Sequence, residues 1–146
     1  MKPLLIIFTV LAAFFTQPSF ATEKEIVPSV LKSFQSSFSA AKDVEWTIGE
    51  NMYKVRFELN GQVVNAYYTN NGNMLAVTRN ITSHQLPLTL QANLKKEYAA
   101  FWITELFEIN NEEGTSYYVT LETAENKVVL QSSFNSWLPY SKSKKE

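Results

Sequence analysis

Tyr53-Lys54-Val55-Arg56-Phe57-Glu58-Leu59-Asn60-Gly61-Gln62-Val63-Val64-Asn65-Ala66-Tyr67-Tyr68 is the stretch on which the fold turns. Apolar residues at Tyr53, Val55, Phe57 and Leu59 alternate with Lys54, Arg56 and Glu58, the period of a strand with one buried face. Asn60-Gly61 predicts a two-residue hairpin, because both central positions of a type I′ turn need positive φ. Val64, Ala66 and Tyr68 carry the alternation into a second strand.

Upstream, Val44, Trp46 and Ile48 predict a short strand that turns at Gly49-Glu50-Asn51. Before it, Val27-Pro28-Ser29 opens a helix, since a proline in the first turn gives up no needed N–H. Val30, Leu31, Phe34, Phe38 and Ala41 form its apolar face. Downstream, Asn70 to Asn73 turn the chain into a strand from Met74 to Arg79.

The pattern then recurs. Leu86-Pro87 starts a helix bearing Leu90, Leu94 and Tyr98, with Lys95, Lys96 and Glu97 towards solvent. Trp102 to Ile109 reads as a strand, Asn110 to Gly114 as a loop, and Tyr117, Val119 and Leu121 alternate as a further strand. Lys127 to Gln131 is another, and the charged tail from Ser141 to Glu146 reads as frayed. Val27-Pro28 lies 59 residues before Leu86-Pro87, and Tyr53, Val55 and Phe57 lie 64 before Tyr117, Val119 and Leu121. The expected fold class is α+β: a tandem repeat of helix plus antiparallel meander (about 27–81 and 86–140), joined into one antiparallel sheet with the helices on one face.

The order of a short helix, Val44-x-Trp46, Tyr53-x-Val55-x-Phe57, Ala66-Tyr67-Tyr68 with Gly72, Leu86-Pro87 and Tyr117-Tyr118-Val119 resembles the PepSY-like exported proteins. Those proteins have a fold similar to the β-lactamase inhibitor protein. The resemblance spans about 28–138 and implies tandem α/β repeats with a concave sheet face. For the inhibitor relatives it implies protein binding through that face. Family members often carry Asp before the turn glycine; Thr69, Asn70 and Asn71 stand there instead, which takes away the case for a cation at that turn.

The chain has 146 residues. Met1-Lys2-Pro3, an apolar run from Leu4 to Phe15, and small residues at Ser19 and Ala21 predict an export signal over 1–21, cleaved before Thr22. That run is shorter than the roughly 20 residues a spanning helix needs, and a lipid-anchored protein would need a Cys that the chain lacks. Residues 22–146 then form a single domain, periplasmic or secreted, with no membrane span after cleavage. Removing Lys2 changes the charge from −1 to −2 (12 basic, 14 acidic), so no basic field is present to hold nucleic acid.

Zero Cys and one His leave no thiol nucleophile, no disulfide framework and no zinc cluster. His84 sits in the loop Thr82-Ser83-His84-Gln85, where adjacent Ser and His side chains rarely face one another and no third group orients the ring. Asp43, the only Asp, sits at a helix–strand junction that a turn role explains. Glu45, Glu58, Glu105 and Glu122 fall on polar strand positions, where solvation keeps a carboxylate near its ordinary pKa. Four glycines do not make a phosphate loop. No catalytic residue, metal ligand or cofactor site is expected, and an enzyme is not.

Binding is the class left standing. If Tyr53, Val55 and Phe57 face the helices, Arg56, Tyr67 and Tyr118 face the open side, and they are the candidate binding residues. Tyr and Arg combine contact area with directional hydrogen bonding; Tyr also pairs well across strands with no partner involved. A register shift of one residue would exchange Tyr67 with Tyr68 and Tyr118 with Tyr117. Trp102, Trp137 and Tyr140 are further candidates, with both tryptophans set aside as core residues. The expected function is non-enzymatic binding of an unidentified envelope or secreted protein, inhibitor-like or regulatory, through the open face. The alternative is a carrier of a small apolar ligand or glycan between helices and sheet, which needs a cavity that Phe34, Phe38, Phe57 and Leu94 would instead fill.

Overall fold

A computed structural model describes residues 20–21 and 25–144. Most of the expected export signal, residues 1–19, lies outside the described residues. No described helix is long and apolar enough to cross a membrane. The chain divides into two compact units between Thr78 and Arg79.

The first unit contains β1 (Phe20–Ala21), α1 (Pro28–Ser37), β2 (Lys42–Ile48), β3 (Met52–Leu59), β4 (Gln62–Thr69) and most of β5 (Met74–Asn80), with the strands in sequence order. The β2, β3 and β4 pairings are antiparallel: Trp46 stands opposite Val55, and Val55 opposite Ala66. The hairpin turn is as the sequence predicts, with Asn60 at φ 52° and Gly61 at φ 77°. Pro28 opens α1, and the helix stops at Ser37, one residue short of Phe38, whose N–H bonds back to Phe34 O. Val30 and Phe34 of α1 bury themselves against Trp46, Tyr53, Val55, Phe57, Val64, Ala66 and Tyr68. One face of β2–β4 therefore belongs to the helix. The rings of Phe34, Phe38 and Phe57 pack with centroids 4.7–5.7 Å apart. Asp43 lies within β2 and adopts φ 50° where the β2–β3 register shifts, an irregularity inside the strand in place of the expected turn.

The second unit contains a short 3-10 turn (Ser83–Gln85), α2 (Leu88–Glu97), β6 (Trp102–Asn111), β7 (Gly114–Glu122), β8 (Asn126–Ser133) and β9 (Ser136–Lys144), with these strands also in sequence order. Leu90 and Leu94 of α2 pack with Leu106, Val119, Leu121, Val128, Leu130 and Trp137. The indole N–H of Trp137 donates to Leu90 O at 3.0 Å, tying β9 to the helix.

Two expectations need correction here. The loop from Asn110 to Gly114 is a tight hairpin: Asn110 and Asn111 belong to β6, Asn111 Oδ1 accepts the Glu113 N–H at 2.9 Å, and Gly114 takes φ 116°. The tail is not frayed up to Lys144, because β9 pairs with β8 along its length, as far as Lys144 opposite Asn126. Pro139 is accommodated where that register shifts, between Val129 and Leu130, which hides the strand from a pattern search. Each unit is thus a helix with antiparallel strands, and the chain is α+β.

Candidate binding surface

The face of the strands turned away from the helix carries the predicted residues. In the first unit Lys54 stands opposite Tyr67, and Arg56 opposite Asn65 and Glu45. Arg56 is exposed, with Nη1 3.3 Å from Glu45 Oε2. Tyr67 alternates with Ala66 and Tyr68, which lie in the helix-side cluster, so its side chain points the other way. It is nevertheless only 4% exposed. Burial pushes its hydroxyl up to about 12, while a hydrogen bond with Thr78 pulls the opposite way. Burial, then the charge of Arg56, lowers the Lys54 ammonium below its ordinary value.

In the second unit the strand face turned away from α2 carries Phe107 and Tyr118, directly opposite one another on β6 and β7. Their rings stack with centroids 5.3 Å apart and planes 6° from parallel. The edge of Tyr140 meets Tyr118 at 5.7 Å. Tyr118 is 1% exposed, and burial, then the proximity of Tyr140, pushes its hydroxyl up to about 12. Gln131 lies between Tyr118 and Leu138 in the strand order, and Leu138 is 53% exposed.

The solvent-facing placement expected for Tyr67 and Tyr118 is therefore corrected. Alternation assigned them the side opposite the helices, but both are buried there, Tyr118 against the rings of Phe107 and Tyr140. Arg56 alone of the three is open to solvent. Arg56 and Tyr67 share neighbouring positions on β3 and β4, whereas Tyr118 belongs to the other unit.

Other expectations resolve individually. Trp137 is core at 6% exposure, but Trp102, set aside as core, is 58% exposed. Its start-of-strand position opposite Glu122 lies beside a register shift between Ile103 and Glu105. Glu45 pairs with Arg56, and Glu122 lies 3.7 Å from Lys127. Glu105 accepts from Thr120 Oγ1 at 3.4 Å. Around His84, Thr82 and Gln85 form a capping box, which explains the loop sequence structurally. Among the described residues, no group of three or more His, Cys, Asp or Glu could hold a metal ion.

Sequence reasoning missed Glu108, 8% exposed and held by Arg79 through Nε–Oε1 at 3.0 Å and Nη2–Oε2 at 3.1 Å. Asn110 Nδ2 adds a third bond at 2.7 Å. Burial raises the Glu108 carboxyl, but those bonds and the Arg79 charge outweigh it and leave it below its ordinary value. The partners are 29 residues apart, so no local pattern reveals the pair. Also missed was Phe134, 99% exposed at the β8–β9 turn with φ 53°. A bulky residue in that left-handed region is uncommon. The turn is held by Asn93 Nδ2, which donates to Asn135 O at 2.7 Å.

No family model matches the chain, and no curated protein matches it. Solved structures do. A BLIP-like protein from Bacteroides fragilis is similar at TM-score 0.68 and 16% identity, covering 84% of this chain and 90% of that one. A DUF2874 family protein from Bacteroides ovatus is similar at TM-score 0.71 and 14% identity, covering 80% and 86%. A candidate periplasmic protein from Bacteroides eggerthii is similar at TM-score 0.71 and 11% identity, covering 81% and 88%. At these identities the likeness is one of fold, and the α+β fold of this chain is similar to that of the BLIP-like protein.

Proposed function

We propose that this chain is an exported, non-enzymatic binding protein that docks another envelope or secreted protein on the strand face opposite the helices. The observation that carries the reading is the Phe107–Tyr118–Tyr140 ring assembly outside the cluster in which Leu90 and Leu94 of α2 pack, with exposed Leu138 beside it. Packed aromatic rings make a rigid floor, and a rigid floor lowers the ordering cost of association. Arg56 supplies an exposed, directional cation on the corresponding face of the first unit. Tyr118 acts from beneath the surface with Leu138 as the exposed contact of the second unit, and Arg56 is a separate contact on the first. The Met1–Ala21 pattern supports export, and the fold likeness to a BLIP-like and a candidate periplasmic protein is compatible with it. The PepSY-like resemblance and the duplication of a helix-plus-meander unit belong to the same proposal.

A pull-down from the native envelope fraction tests it, with the purified chain and its Leu138→Asp and Arg56→Glu forms as baits. The expected result is a protein retained by the parent chain and lost by Leu138→Asp at unchanged melting temperature. Identical capture by all three baits, or by none, would remove the face from consideration.

A further inference from the structure

The helices α1 and α2 have equal length and start 60 residues apart, one more than the 59 between Pro28 and Pro87, which sets Phe34 against Leu94 and Phe38 against Tyr98. On the strands, Val55 and Phe57 correspond to Val119 and Leu121, all four buried in their helix-side clusters. In the first unit the three rings at these positions fill the space between helix and strands, the closest pair having centroids 4.7 Å apart. The second unit places two leucines and a tyrosine there. Beside these residues the second unit has a pocket of about 190 Å³, lined by Leu94, Tyr98, Phe101, Ile103 and Leu121, with Lys95 as the charged member of its lining. The rings of Tyr98 and Phe101 meet edge to face at 5.7 Å and form one wall.

We propose that this pocket binds an unbranched aliphatic carboxylic acid, with its chain against Leu94, Phe101 and Leu121 and its carboxylate at Lys95. Size sets the chain length. An enclosed cavity of roughly 150 Å³ lined by Leu, Ile and Phe takes up benzene, so an open-sided pocket of about 190 Å³ holds a chain of about eight carbon atoms whose head group stays in solvent. Charge sets the head group, because Lys95 is the one charged residue of the lining and a cation draws an anion. The pocket lies on the helix side of the strands and Tyr118 on the other, so this site is independent of the protein-binding face and stands or falls separately.

Calorimetric titration of the purified chain with octanoate, octan-1-ol and octylamine tests the assignment. Saturable octanoate binding in the sub-millimolar range is expected, weakened several-fold in Lys95→Gln and in octylamine. Leu94→Phe should abolish binding while the protein remains folded, since the first unit accepts phenylalanine at the corresponding position. Absence of saturable octanoate binding would overturn the proposal. So would retention of full affinity in Leu94→Phe, or equal affinity for all three compounds in both the parent chain and Lys95→Gln.

Discussion

Tyr68 and Trp46 sit in the first unit's core at 0% and 2% exposure, and among the described residues neither the Tyr68 hydroxyl nor the Trp46 indole N–H has a hydrogen-bond partner. A buried polar group left unsatisfied costs about 1–3 kcal/mol. Tyr68→Phe removes one such group without changing ring volume, and it should raise the melting temperature or leave it unchanged. A loss above about 1 kcal/mol in chemical denaturation would mean that the hydroxyl has a partner after all. Gly72 is constrained in a different way. It takes φ 87°, and a Cβ there would stand 2.7 Å from Ser29 O at the start of α1. Gly61 has φ 77° but open space around it. Gly72→Ala should therefore destabilise well beyond the roughly 1–2 kcal/mol of left-handed strain expected for Gly61→Ala. Equal losses in paired urea melts would show that the approach to Ser29 relaxes freely.

At the scale of elements, β9 depends on its contact with α2. Trp137→Phe keeps most of the apolar burial but removes the indole bond to Leu90 O, and about 0.5–1.5 kcal/mol should be lost. Tyr118→Ala should cost about 3–5 kcal/mol, as aromatic truncations in cores do, because Phe107 and Tyr140 close over it. A melt within about 1 kcal/mol of the parent would return Tyr118 to the surface. The strands β3 and β4 were legible because their alternation is strict and Asn60-Gly61 permits one turn. Both helices were legible from their apolar spacing. The strand β9 was not, since Pro139 and the Ser-Lys run break every local pattern and only pairing with β8 reveals it. Alternation gave the correct side for Tyr67 and Tyr118 but not their exposure. Which side a residue faces is local, whereas cover depends on residues such as Tyr140, 22 positions beyond Tyr118. The Arg79–Glu108 pair and the pocket beside Lys95 were illegible for the same reason.

Across the whole molecule, burial holds Tyr67, Tyr68 and Tyr118 up to about 12 against an ordinary value of 10.0. A raised folded-state pKa means that the native chain keeps protons the unfolded chain loses. The stability is fully present below pH 10 and is lost as pH rises towards 12. Phenolate absorbance and circular dichroism should therefore change together over that window. Phenolate formation complete near pH 10 with structure intact would show these hydroxyls to be accessible.

The claim on which the proposed function rests is that the protein meets its partner through the strand face beside Leu138 and not through the helices. A photo-crosslinking amino acid placed in living cells at Leu138, and separately at Leu88, tests this most directly, because both positions are exposed and they lie on a strand and a helix. A discrete envelope protein crosslinked from position 138 and absent from position 88 is the result expected. Crosslinks from position 88 alone, or from neither position, would contradict it.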